Sequence, residues 1–275
     1  MNLSKDILNA FALKGECIPL SGGQHTSVRV GDFVLKPTDT NIRYYEWLLT
    51  VYSAIHPNGY RLAKPVKSQQ DTFVYKGWCC TRYEPGEFMN RKLPEKLEVA
   101  RLFLTDVAEL PFQDMPAADH KWAKAHQIAW QKEDLLREIT GEAYTILADL
   151  LSGLTLQDKY PLQIIHADLA GNILFDDALP PLIIDFSPTI APVAYAEAIL
   201  VCDSIAWHGS PLEDLNYLSH SEFTREMILR AIVFRLTVAA LSVQQNENAF
   251  SNEYKCFQPI IQYLDNQVCN EDVQW

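Results

Sequence analysis

The chain has 275 residues, 48% of them hydrophobic and 11% aromatic, and a net charge of −12. That length holds one large domain or two lobes sharing an interface, and the apolar share is that of a packed globule rather than a disordered tail. No apolar run approaches the ~20 residues of a membrane span. The opening stretch MNLSKDILNAFALKGE has no basic flank followed by an unbroken apolar run, so no secretory signal is expected.

Charge is unevenly spread. Residues 1–86 carry 10 Lys+Arg against 7 Asp+Glu, whereas residues 87–275 carry 13 against 28. The acidic excess argues against a nucleic-acid partner, whose phosphates would need neutralising. It would suit a cationic small substrate, although an acidic face that merely keeps the protein in solution is the plainer reading. The six cysteines (Cys17, Cys79, Cys80, Cys202, Cys256 and Cys269) form no CxxC pair, and none of the seven histidines stands at zinc-ligand spacing from them. Free thiols in a reducing, cytoplasmic setting are expected.

In chain order, CIPL (17–20) and TSVRV (26–30) read as strands flanking a turn, Ser21-Gly22-Gly23-Gln24-His25. A second turn at Gly31-Asp32 leads into the strand FVLK (33–36). Residues 38–55 place Ile42, Tyr45, Leu49 and Tyr52 at a helical period behind a Thr/Asp cap. Residues 72–87 read as two more strands joined at Lys76-Gly77 and ended by Pro85-Gly86. Helical patterns follow over 94–110, 120–131 and 132–153. A strand block at 162–186 interrupts them, and helices over 194–209, 221–243 and 251–268 close the chain. Strands first and helices afterwards predict an α+β fold of two lobes, mainly β over 1–86 and mainly helical over 87–275, with the hinge near Pro85-Gly86.

The block IIHADLAGNILFDDALPPLIIDF (164–186) sets polar residues at the ends of apolar strands, where they add nothing to a core. Ile164-Ile165 and Ile173-Leu174-Phe175 are expected to pair as a hairpin, with Asp168 and Asn172 projecting from its loop. The exit of Leu182-Ile183-Ile184 would bring Asp185 nearby. An amide oxygen from Asn172 and a carboxylate from Asp185 form a hard-oxygen pair suited to Mg²⁺. Asp168 would then be free to accept a proton from an attacking hydroxyl.

These residues resemble the catalytic core of the aminoglycoside phosphotransferase superfamily, small-molecule kinases with a protein-kinase-like fold. The resemblance rests on His166-Ala167-Asp168, Asn172 and Ile184-Asp185-Phe186. It implies a bilobal fold, ATP and Mg²⁺ as cofactors, and a hydroxyl-bearing small-molecule substrate, with no nucleic acid or membrane partner. It also implies roles upstream. The Ser21, Gly22 and Gly23 turn would cover the phosphates. Lys36 would grip them and Val34, on the same face, would wall the adenine. Glu46 would orient Lys36, and the backbone of Arg82 and Glu84 would meet the adenine edge. His166 would brace the loop. Two departures stand out. Only Leu169, Ala170 and Gly171 separate Asp168 from Asn172, where the family pattern has four residues, and Ser187-Pro188 follows Asp185 where glycine is common. Glu197 or Asp203 would then serve as braces. The main rival reading is a kinase-like protein that binds nucleotide without turnover. A protein kinase would need an Ala-Pro-Glu segment after Asp185, which is missing, and a nucleotide-free hydrolase leaves Lys36 unexplained.

Overall fold

The computed structural model describes residues 3–20, 26–38, 41–155, 160–243 and 248–271. The expected turn at Ser21, Gly22 and Gly23 lies outside them. The front of the molecule is a twisted sheet of strands β1 (Cys17–Pro19), β2 (Val28–Val30), β3 (Phe33–Pro37), β5 (Pro65–Val66), β6 (Val74–Tyr75) and β7 (Trp78–Arg82). They run in the order β1-β2-β3-β7-β5, and β6 pairs with β7. Lys76 and Gly77 join β6 to β7 with φ of 46° and 75°. A two-residue hairpin loop that matches strand twist needs positive φ at both positions, which is why glycine stands there.

The two faces of this sheet separate by alternation. Leu35 of β3 and Cys80 of β7 sit opposite each other and enter a small outer core with Ile7, Ala10 and Phe11, the first two on helix α1 (Lys5–Ala10). Lys36 and Cys79, one residue along each strand, face the other way. Helix α2 (Ile42–Ala54), capped by the Asn41 side chain on the Tyr44 N–H, packs on that inner side.

The rear is mostly helical: α3 (Leu93–Asp106), α4 (Lys121–Ala129), α5 (Gly141–Ser152), α6 (Val193–Trp207), α7 (Glu222–Ala240) and α8 (Ala249–Glu271). Helix α7 is buried on almost every face because α4, α5, α6 and α8 surround it. The fold is α+β and bilobal, as the element order predicts.

Two expectations need correction. Strand β9 (Gln163–His166) does not form a hairpin with β10 (Ile173–Phe175). It pairs instead with β12 (Pro188–Ala191), while β10 joins β11 (Leu182–Ile183) and β8 (Glu87–Phe88), and β11 runs parallel to β4 (Arg61–Leu62). The hairpin forms one step later because Asp176 makes the tighter turn. Its Oδ1 accepts from the Ala178 and Leu179 N–H groups at 2.9 and 3.1 Å. The helix expected over 132–153 begins only at Gly141. Helix α4 ends at Ala129, Gln131 just beyond it is left-handed (φ 51°), and residues 132–140 are not helical.

Phe103 of α3 is the junction of the core. It is fully buried and meets the rings of Tyr60, His166 and Phe186 at centroid distances of 5.7 to 6.0 Å. Phe103→Ala is expected to lower the free energy of unfolding by about 3–5 kcal/mol in urea titration.

Candidate active site

Strand β9 ends on His166. His166 is buried, and its Nδ1 accepts from the Asp168 N–H at 3.1 Å. Nε2 must then carry the proton, and it donates to the Ile184 carbonyl at 3.2 Å. One ring thus ties the loop after β9 to the end of β11. Burial pulls its pKa down to about 4, with the Asp168 charge opposing, so at neutral pH it is an uncharged brace and not an acid or base.

Asp168 and Asn172 touch directly despite the shortened loop. Asn172 Nδ2 donates to the Asp168 carbonyl at 2.6 Å and to its Oδ2 at 2.9 Å. Both partners are acceptors, so the amide nitrogen must face them and Oδ1 faces away, uncommitted among the described residues. The Asn172 carbonyl accepts from the Ile184 N–H at 3.0 Å, which brings Asp185 beside it.

Asp185 has a left-handed backbone (φ 51°). That reversal sends its carboxylate into the cleft, with the side chain 43% exposed, while Phe186 turns inward and stacks on Tyr52 of α2 at 5.3 Å. In the cleft Asp185 forms an ion pair with Lys36 of β3. Burial draws the Lys36 ammonium below the usual lysine range. Val34 is buried two residues earlier on the same face.

Glu46 does not reach Lys36. Its two carboxylate oxygens accept from the backbone N–H groups of Phe73 and Val74 at 3.2 and 2.7 Å, which fastens α2 to β6. Those amides open a short strand and need acceptors, a demand invisible in the side-chain pattern. In the hinge the Arg82 N–H is taken by the Lys64 carbonyl at 2.9 Å, and the Glu84 side chain accepts from Arg61 at 3.1 Å. No described group accepts from the Glu84 N–H.

Two charged residues around the loop, Lys96 and Arg235, were not singled out by their sequence context as site residues. Lys96 of α3 is fully buried and donates to the Ala170 carbonyl at 2.7 Å, so it holds the loop from behind. Arg235 of α7 donates to Asp168 Oδ1 at 2.6 Å and also pairs with buried Asp203 of α6. Asp203 is thus the brace, acting through Arg235, whereas Glu197 pairs with Arg101. Burial alone would raise the Asp168 carboxyl, but the Arg235 charge and hydrogen bond outweigh it and leave the carboxyl below its ordinary value. An arginine in the middle of a hydrophobic helical run reads as surface, and only the packing of α6 against α7 shows otherwise. Among the described residues no cluster of three or more His, Cys, Asp or Glu side chains could hold a metal. The Asn172 amide oxygen and the exposed Asp185 carboxylate are hard donors that fit Mg²⁺, which takes few protein ligands.

The same architecture occurs in solved structures. A thermostable mutant of aminoglycoside phosphotransferase APH(4)-Ia, in ternary complex with ADP and hygromycin B, superposes with a TM-score of 0.64 over 94% of this chain and 97% of that one at 15% identity. The fold is shared with aminoglycoside phosphotransferases and a choline kinase. Choline kinase LicA from Streptococcus pneumoniae matches at TM-score 0.64 and 11% identity, covering 95% and 97% of the two chains. Aminoglycoside 2'-phosphotransferase-IIIa, solved with GDP, matches at 0.58 and 14% identity over 92% and 95%. No family model and no curated protein matches the sequence. The chain spans these structural neighbours almost end to end. Among the described residues no helix is long and apolar enough to cross a membrane.

The buried histidine fixes a pH dependence. Between pH 6.5 and about 4 the unfolded chain binds a proton that folded His166 refuses, so stability falls as pH is lowered through that window. The expected loss is up to about 3 kcal/mol. In urea titrations between pH 7 and 4, His166→Gln should show a shallower fall than the parent protein.

Proposed function

We propose that this protein is an ATP- and Mg²⁺-dependent phosphotransferase acting on the hydroxyl of a small molecule, of the aminoglycoside, amino alcohol or sugar type. The observation that carries the reading is the meeting of Lys36 with Asp185 beside the hydrogen-bonded pair Asp168 and Asn172. A lysine from the front sheet thereby meets a carboxylate from the rear, and in this reading the triphosphate would lie between them and the Asp168 and Asn172 pair. In this reading residues 1–86 form the nucleotide lobe and 87–275 the catalytic and acceptor lobe.

The triphosphate would lie along Lys36 under the turn of Ser21, Gly22 and Gly23, with the adenine against Val34. The Glu84 N–H is the hinge donor left for the base, since the Arg82 N–H is already engaged. Asn172 and Asp185 would hold Mg²⁺, whose charge offsets that of the phosphates. Asp168 receives the acceptor's proton as the acceptor oxygen bonds to the γ-phosphorus. The bond to the β,γ-bridging oxygen breaks and ADP leaves. In a loose transition state the nucleophile's proton departs late, so orientation of an ionised Asp168 matters more than its basicity.

One observation favours a second reading, nucleotide binding without turnover: Arg235 already occupies one oxygen of Asp168. ADP release from Mg-ATP, measured with choline, hygromycin B, kanamycin and hydroxylated metabolites in turn, separates the two. Release above the acceptor-free rate with any of them supports transfer. Mg-ATP binding by calorimetry with no release under the whole panel supports the silent protein.

Asp168→Asn is expected to cut kcat by about 10²–10⁴ while leaving Mg-ATP affinity within about threefold. Lys36→Ala is expected to lower kcat/KM for ATP by about 100-fold, and an unchanged ATP dependence would remove Lys36 from the site.

A further inference from the structure

Arg235 sits where the reaction would need a fixed point, on a helix that contributes no residue to the expected motifs. Its guanidinium is buried in the packing of α6 against α7. Nε donates to Asp203 Oδ1 at 3.0 Å, and Nη2 pairs with both Asp203 Oδ2 and Asp168 Oδ1. The rings of Trp207 and Phe234 lie 5.0 and 4.8 Å from its central carbon. Planar bidentate pairing with a fully buried carboxylate, between two aromatic side chains, sets the fork's position without help from Asp168. Asp168 is the more exposed partner, its side chain 44% accessible, and it is the one that would otherwise rotate.

We propose that Arg235 is a positioning residue for phosphoryl transfer, which holds the Asp168 carboxylate in the orientation that receives the acceptor hydroxyl, with Asp203 fixing Arg235 in turn. The inference rests on the phosphotransferase reading above. Asp168 is then gripped at both oxygens, by Arg235 on Oδ1 and by Asn172 on Oδ2, so rotation about its terminal bond is blocked. Each oxygen keeps a further lone pair, and the open edge of the carboxylate is the one left to the acceptor. Asp203 supplies the second negative charge. Without it the buried guanidinium would depend on Asp168 alone and would drag that carboxylate towards α7. Two carboxylates on one arginine let the cation stay in the core while only half of its pairing points outward. The titratable groups facing this cluster from other elements are Glu253 of α8 and the imidazole rings of His126, His166 and His208. None of them reaches the guanidinium within hydrogen-bond distance, so Arg235 is the group that orients Asp168 from behind.

The test compares the parent protein with Arg235→Ala and Arg235→Lys. Readouts are ADP release from Mg-ATP with choline, hygromycin B, kanamycin or water as acceptor, and Mg-ATP affinity by calorimetry. Arg235→Ala should lose about 100-fold in kcat with KM and Kd for ATP within about threefold, the cost of misplacing a reacting group by about an ångström. Arg235→Lys should recover about tenfold of that loss, and millimolar guanidinium added to Arg235→Ala should recover part of it. If Arg235→Ala does not fold, Arg235→Lys decides. A drop in its kcat with unchanged ATP affinity supports the assignment, and parental kcat overturns it. Full turnover by either variant overturns the positioning role while leaving the phosphotransferase reading intact. No turnover by the parent protein with any acceptor overturns both.

Discussion

The ion pair of Lys36 with Asp185 is the constraint around which the cleft is built. Its two ends come from opposite sides of the molecule, one from the inner face of the front sheet and one from the exit of β11 in the rear. Each end is held by packing that has nothing to do with charge. Leu35 anchors β3 in the outer core, so its neighbour must face the cleft. Phe186, stacked on Tyr52 and edge-on to Phe103 and His166, anchors the segment after β11. The left-handed backbone at Asp185 is what lets ring and carboxylate diverge within two residues. Such a conformation in a residue other than glycine costs on the order of 1–3 kcal/mol and persists where the surroundings over-determine it.

Around that pair three buried cations of the rear lobe are each answered. Arg230 bonds Glu226 and the Ala129 carbonyl, Lys96 bonds the Ala170 carbonyl, and Arg235 serves two carboxylates. Burial pushes Asp203 up to about 6, with Arg235 opposing, so it is ionised at neutral pH and the triad of Asp168, Arg235 and Asp203 carries one net negative charge. Bonds that converge on the loop 168–172 come from α3, α7, β9 and the Ile184 N–H after β11. Loop geometry is therefore set by the helical packing rather than by the loop's own length. That is why a connection one residue shorter than the family pattern still brings Asn172 onto Asp168.

The sequence made the site's polar residues legible because their chemistry is out of place: Asp168, Asn172 and Asp185 stand at strand ends where a core has no use for them. Lys36 was legible through the family resemblance, at the end of a strand whose alternation sets it on one face with Val34. Arg235 was not legible, since a charged residue in a hydrophobic helical run gives no sign of which neighbour will answer it. Glu46 was misread for the opposite reason. Its spacing on α2 showed an inward carboxylate, but the acceptor-hungry amides of Phe73 and Val74 belong to the backbone, which carries no residue code. Strand pairing failed at β9 because Ile164-Ile165 and Ile173-Leu174 are equally apolar, and the turn at Asp176 decided the partner.

The most direct measurement is affinity labelling with an adenosine derivative that carries a sulfonyl fluoride at its 5' end, followed by peptide mapping. A triphosphate site lined by Lys36 should give one labelled peptide, containing Lys36, and Mg-ATP should protect it. Labelling scattered over surface lysines, or labelling of Lys36 that Mg-ATP leaves unchanged, would contradict a nucleotide cleft between the front sheet and Asp185.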